Sequence, residues 1–172
     1  MEEAKKKLKV YCETTFWSYL NGRPTPLQHI AVKQAATLQW WQEIAPTCEI
    51  YVSQYVENEA DDGNAELAAR RKSSMANAIW LDGRIREVDE LSGFLMAGHA
   101  VPATEATDAL HIATAAVYGI DVLLTWNCRH MANPVTMPTT AVVVAQAGYR
   151  CPIIITPDDF LVHKEEFGCV CT

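Results

Sequence analysis

The sequence predicts a single α/β domain, with a parallel sheet of about 4–5 strands flanked by helices. Three observations carry that expectation. Short β-branched runs alternate with longer stretches of helical apolar spacing. One of the runs, "DVLLTW" (residues 121–126), is continuously apolar, as strands covered on both faces are. No internal repeat or linker divides the 172 residues, a length that one domain accommodates with a real core.

The elements follow in order. "KLKVYC" (residues 7–12) reads as the first strand, with apolar and β-branched residues after a charged leader. "TTFWSYL" reads as a short helix, ended by the turn cluster "NGRPTP". Over residues 27–45, Ile30, Ala31, Gln34, Ala35, Leu38, Trp41 and Ile44 recur at helical spacing, and Pro46 closes the segment. "CEIYVS" is a second strand, and "QYVENEADDG" a short helix ending near Gly63. Asn64 is placed to cap the next helix, "NAELAARRKSSMANA". "AIWLD" reads as a short strand, and residues 84–97 as a helix closed by Gly98. Pro102 precedes a helix over residues 104–118, for which Gly119 supplies the cap. After "DVLLTW", residues 139–146 are read as helix in preference to strand. "CPIIIT" is the last strand, and "PDDFL" opens a closing turn at Pro157.

Hydrophobic residues make up 49% of the chain and charged residues 20%, a globular balance. No apolar run approaches the ~20 residues that span a bilayer. The N-terminus shows neither a long apolar segment nor a small-residue cleavage site, so the expectation is a cytoplasmic protein that engages no membrane. The six cysteines form no C-x-x-C pair, which argues against a zinc ribbon. A soft-metal role for Cys169 and Cys171 is the weaker reading beside two thiols with no task. The net charge of −7 opposes a nucleic-acid partner unless some acids are neutralised by cations. Local basic groups lie at residues 5–9, in "RRK" at residues 70–72, and at Arg84, Arg86 and Arg129; a solvated face is the default reading of each.

Open parallel sheets collect functional groups beyond the carboxyl ends of their strands. Glu13 ends the first strand, Glu59 follows the second, and Asn127 and His130 follow the third core strand. Asp108 sits in the first turn of the helix leading into that third strand. Pattern alone sets it near the opposite end of the sheet, unless the helix N-terminus folds over the same crevice. If all four meet, three carboxylates and one amide oxygen share a site. Such a cluster is tolerated when a cation neutralises it, and oxygen donors select Mg²⁺ or Mn²⁺. Hard cations there could clamp the oxygens of a phosphodiester.

At these residues the sequence resembles the PIN-domain nucleases, and among them the VapC-like toxin branch, over nearly the whole chain. "VYCETTFWSYL" is similar to that branch's first motif, which makes Glu13 its first metal acid. "VSQYVENEADDGNAELAARR" is similar to the second, which gives Glu59, with Glu57 as the nearby competitor. "DALHIATAAVYGIDVLLTWNCRHMAN" carries the strongest likeness: Asp108 becomes the third acid, and Asn127 stands where most relatives have a fourth carboxylate. "YRCPIIITPDDF" resembles the closing strand and turn. The resemblance implies a Mg²⁺ or Mn²⁺ site, cleavage of RNA, a small antitoxin partner and a homodimer. It also implies that Asp108 reaches the acidic crevice. Glu13 stands where many relatives have Asp. Asn127 brings no charge, which favours a single ion or a second ion recruited with substrate phosphate.

Other residues have bland readings beside the functional ones. Thr14, Arg129 and His130 are candidate substrate contacts, and Thr14 and Thr15 could hold a metal-bound water. His111 shares a helix face with Asp108, and a histidine bonded at the edge of the core is slightly preferred for it. Trp126 is read as packing rather than base stacking, and Trp40, Trp41 and Trp80 as core or as a partner surface. The competing function is a catalytically weak or inactive nucleic-acid-binding or protein-interaction module on the same fold. A dehydrogenase or nucleotide-binding domain is a poor fit, because no G-x-G-x-x-G or P-loop follows the first strand.

Overall fold

Strands β1 (Leu8–Cys12), β2 (Cys48–Ser53), β3 (Ile79–Leu81), β4 (Val122–Leu124) and β5 (Ile153–Ile155) pair in the order β3-β2-β1-β4-β5. Every pairing is parallel, with Leu8 opposite Cys48, Cys12 opposite Leu124, Ser53 opposite Leu81 and Leu124 opposite Ile155. This computed structural model describes residues 6–168, so Lys5, Cys169 and Cys171 lie outside the described residues. Among the described residues, no helix is long and apolar enough to cross a membrane.

The chain builds outward from β1 through β2 to β3, then returns to the other side of β1 for β4 and β5. The reversal leaves a crevice between the carboxyl ends of β1 and β4, the switch point at which open α/β sheets place their sites. The eight α-helices are α1 (Thr14–Asn21), α2 (Gln28–Glu43), α3 (Gln54–Ala60), α4 (Ala65–Ser74), α5 (Arg86–Ala97), α6 (Ala106–Val117), α7 (Met137–Gln146) and α8 (Pro157–Val162), among the described residues. Helices α1, α2, α4 and α8 pack together as one group, α5, α6 and α7 as another, and α3 touches both. The segment read as helix over residues 139–146 is α7, which begins two residues earlier with Pro138 in its first turn. "PDDFL" is the start of a helix, α8, whose Thr156 hydroxyl caps Asp159 N–H.

Helix α2 presents a different face from the one its apolar spacing suggests. Thr37, Trp40 and Ile44 are buried, whereas Leu38 is 46% exposed. The reason is aromatic. Trp40 meets Phe16 and Phe160 edge-on, at ring separations of 5.5 and 5.6 Å. With that ring inside, Thr37 also turns inward; its hydroxyl donates to Lys33 O at 2.7 Å and accepts the Trp126 indole N–H at 2.8 Å. Trp126 is therefore a packing residue, 7% exposed. Trp80, on the edge strand β3, is 48% exposed.

The helix ends show which glycines matter. Gly119 adopts φ +62° after α6, and Ile120 N–H returns to Ala115 O at 2.9 Å, a Schellman closure. After α5 the left-handed residue is not Gly98 but His99, at φ +57°, with Ala100 N–H bonded to Leu95 O at 2.9 Å. Gly98 is needed for space instead, since a Cβ there would lie 2.8 Å from Val143 Cγ2 of α7. An L-residue in the left-handed region costs on the order of 1–2 kcal/mol, partly offset by glycine's larger unfolded-state freedom. His99→Gly is therefore expected to stabilise the fold by about 1 kcal/mol, read as a higher urea midpoint at unchanged slope. No gain would mean that the imidazole contributes a compensating contact.

Candidate active site

The three acids stand on three different elements around the switch point. Glu13 follows β1, and its N–H continues the sheet ladder to Leu124 O at 3.2 Å. It is also the N-cap of α1, and its carboxylate accepts Thr15 N–H at 3.0 Å and the Thr15 hydroxyl. Thr15 Oγ1 in turn accepts Trp126 N–H at 2.7 Å, which binds the turn after β4 to the start of α1. Glu59 lies on α3, one turn beyond the end of β2. Its Oε2 receives the Thr14 hydroxyl and His111 Nε2–H, the latter at 2.9 Å. The buried Arg71 guanidinium holds the end of α3 in place, donating to Ala60 O at 3.0 and 2.6 Å and to Asp62 O at 2.7 Å. Arg71, part of the "RRK" group, is thus a capping residue and not part of a solvated face.

Asp108 lies in the first turn of α6, over the carboxyl ends of the strands, and the placement that pattern alone suggested is corrected. A helix that returns the chain to a parallel strand runs antiparallel to it, so its beginning sits where the strands end. Contacts with the turn after β4 fix the position: Asn127 Nδ2 donates to Asp108 Oδ2 at 2.9 Å, and His130 Nδ1 lies 3.2 Å from the same oxygen. The backbone N–H of His130 donates to Asn127 Oδ1 at 3.0 Å. Because an N–H must face the amide oxygen, the amide NH₂ must face Asp108, and the orientation of Asn127 is settled by its bonds. The carbonyl expected to serve a cation is engaged with the backbone.

His111, one turn beyond Asp108, joins these parts. It is 1% exposed, and Nδ1 lies 2.8 Å from Tyr11 OH, which is 2.7 Å from Ser53 Oγ. Thr14 spends its hydroxyl on Glu59, and the side chain of Glu57 makes no hydrogen bond among the described residues. Arg129 is exposed, beside the crevice on the turn that carries Asn127 and His130.

Each carboxylate has its own electrostatic setting. Burial pushes the Glu13 carboxyl above its ordinary pKa, although the His111 charge and bonds from Thr15 and Thr125 oppose the rise. Asp108 is also raised by burial, against the pull of Asn127, His111 and His130. Burial acts on Glu59 too, but the His111 bond and charge and the Thr14 hydroxyl outweigh it and hold the group below its ordinary value. One oxygen of Glu59 and one of Asp108 take these bonds; Glu59 Oε1 and Asp108 Oδ1 accept none among the described residues. Glu13 and Asp108, whose burial disfavours their own charge, are suited to a hard cation, which reverses that preference.

One further grouping was missed by sequence reasoning. Glu105, Asp108 and His130 present ligand atoms that all lie within 4.8 Å of one another, and could hold a metal ion. His130 Nδ1 is 3.8 Å from Glu105 Oε2. Glu13, Glu59 and Asp108 do not meet that spacing as a trio. The signal for Glu105 was its position one turn before Asp108, at the N-cap of α6.

The five-stranded parallel sheet flanked by helices is a VapC-like PIN-domain fold. Two solved structures share it. One is the toxin VapC20 of Mycobacterium tuberculosis, described as cleaving the sarcin-ricin loop, with a TM-score of 0.51 and 14% identity over 66% of this chain and 86% of that one. The other is VapBC2 from Rickettsia felis bound to a DNA fragment from their promoter, with a TM-score of 0.55 and 12% identity over 86% of this chain and 97% of that one. No protein-family model and no curated protein matches the sequence.

The raised Asp108 carboxyl has a stability consequence whose sign is fixed. Its folded pKa exceeds the unfolded value, so the associated stability is fully present below about pH 3.9 and is lost as pH rises through the folded pKa. Asp108→Asn keeps an acceptor for Asn127 and carries no charge. Without divalent ions, it should melt above the parent at pH 7, and the difference should close near pH 4. Equal melting temperatures at both pH values would show that the Asp108 charge costs nothing.

Proposed function

We propose that this protein is a Mg²⁺- or Mn²⁺-dependent endoribonuclease of the toxin–antitoxin kind, with an antitoxin protein as its inhibitor. The observation that supports this reading is that Glu13, Glu59 and Asp108, from three distant stretches, stand around the switch point of a VapC-like PIN fold and are tied there by Thr15, Thr14, His111 and Asn127. Glu13, Glu59 and Asp108 would hold the ion, and Asn127 would serve the site by orienting Asp108. When bound, a hard divalent ion supplies charge neutralisation and Lewis acidity at a phosphodiester. The chain supplies the rest. Thr14 and His111 orient Glu59, Thr15 orients Glu13, and the exposed Arg129 beside the crevice is placed to attract a strand phosphate. Neighbouring His130 would hold the Asp108 carboxylate and face the same phosphate. The VapBC2 likeness supports an antitoxin partner, and the VapC20 likeness supports RNA as substrate. A homodimer and a cytoplasmic location belong to the same proposal.

A second reading, a binding module with little or no turnover, is favoured by one observation. Asn127 turns a hydrogen-bond donor, not a carboxylate, toward the crevice. The two readings separate in one assay. Purified protein free of inhibitor should cut RNA with Mg²⁺ or Mn²⁺ and stop on chelation. Asp108→Asn should lower the rate at least about 100-fold, beyond the range seen for residues that merely support metal ligands. RNA binding without cleavage under both ions would establish the second reading.

A further inference from the structure

We propose that His111 is a positioning residue: its Nε2–H commits one oxygen of Glu59 so that the other is presented to a divalent cation. The inference rests on Glu59 being a metal ligand, and it assigns His111 a task beyond filling the core. A carboxylate only accepts, so the proton between His111 and Glu59 belongs to Nε2. The ring cannot turn to another partner, because Nδ1 is bonded to Tyr11 OH and Tyr11 to Ser53. Tyr11 and Tyr55 also bracket the ring at centroid separations of 5.8 and 6.3 Å. Its 1% exposure excludes water as a competing partner for either nitrogen.

The anchorage runs through every element that carries an acid. Tyr11 lies two residues before Glu13 on β1, Ser53 ends β2 just before α3, and His111 shares α6 with Asp108. One imidazole therefore sets where α3 stands relative to β1 and α6. Thr14 grips the same Oε2 from α1, so two donors converge on one oxygen and Oε1 accepts no hydrogen bond among the described residues. A histidine that only satisfied itself in the core would need no carboxylate on a different helix. Charge-assisted bonds to a ligand carboxylate fix its direction and its basicity, the service that outer partners give to metal ligands.

Two substitutions separate positioning from packing. In His111→Gln the amide nitrogen reaches about as far as Nε2 and can still donate to Glu59. In His111→Asn the amide reaches only as far as Nδ1, keeping the Tyr11 partner and losing Glu59. Manganese affinity by calorimetry, with melting temperature alongside, is the readout. The parent should bind Mn²⁺, His111→Gln should stay within about 3-fold, and His111→Asn should weaken by about 10–100-fold. Equal affinities in both variants, whether parental or reduced, overturn the positioning role while leaving the metal site standing. A folded parent that binds no Mn²⁺ overturns the metal reading itself and this inference with it. Should His111→Asn fail to fold, nitrogen NMR of the parent decides: Nε2 must carry a slowly exchanging proton whose shift moves on adding Mg²⁺. A bare Nε2, or a proton indifferent to Mg²⁺, rules the role out.

Discussion

Holding acidic groups at the carboxyl edge of the sheet, partly or wholly withdrawn from water, is the constraint around which this molecule is arranged. Glu13 is 3% exposed, and a carboxylate taken from water must recover its solvation from the protein. The chain answers with donors drawn from neighbouring elements: Thr15 for Glu13, Thr14 and His111 for Glu59, Asn127 and His130 for Asp108. Glu59 and Asp108 are served from other elements, and Glu13 from the first turn of the helix it caps and from Thr125 after β4. The charges thereby bind the elements to one another, and electrostatics and topology are solved by the same contacts.

The aromatic core behind the crevice has a comparable double role. Trp17 indole N–H donates to Cys12 O at 3.0 Å, which fixes the last residue of β1 immediately before Glu13. Phe16 and Trp17 meet edge-on at 5.3 Å, and Trp17 meets Trp41 at 5.4 Å. The indole of Trp126 is tied to α2 through Thr37, while its backbone N–H is tied to Thr15. Lys33 lies 5.2 Å from the Trp126 ring and 5.4 Å from that of Tyr19, covering the outer side of this wall. Displacing any of these rings would move a backbone atom that carries or contacts a site residue.

Much of this was legible in the sequence, and the misses have physical causes. Alternation of strand and helix gave the sheet, because hydrophobic period reports which side of an element is covered. The segment from Asp108 to His130 announced itself through polar residues placed where a buried helix and strand have no structural use for them. The face of α2 was misread because period counts apolar residues alike, whereas burial went to the largest ring, Trp40, and carried Thr37 in with it. Gly98 closes α5 as its place in the sequence suggests, but the left-handed residue is His99, which spacing cannot reveal because it does not tell a glycine required for φ from one required for room. Glu105 went unnoticed because its relation to His130 exists only after α6 and the turn following β4 have met. Arg71 looked like one of three solvated cations, and only the fold brings the end of α3 to it.

Asn127 shows what a change of one atom does in such a place. A carboxylate in its position could accept the His130 N–H with one oxygen, but the other would lie about where the amide nitrogen now sits, 2.9 Å from Asp108 Oδ2. Two ionised oxygens at that separation repel strongly in a poorly solvated crevice, and only a proton or a cation relieves them. The amide converts the repulsion into a hydrogen bond to a charged acceptor, among the stronger neutral-donor contacts available. Asp108 is thus held in its orientation without any cation, and the turn after β4 is locked to α6 in the same step. The amide leaves one unit of negative charge fewer there than a carboxylate would bring, and the contact it makes assembles this side of the crevice from the chain's own groups.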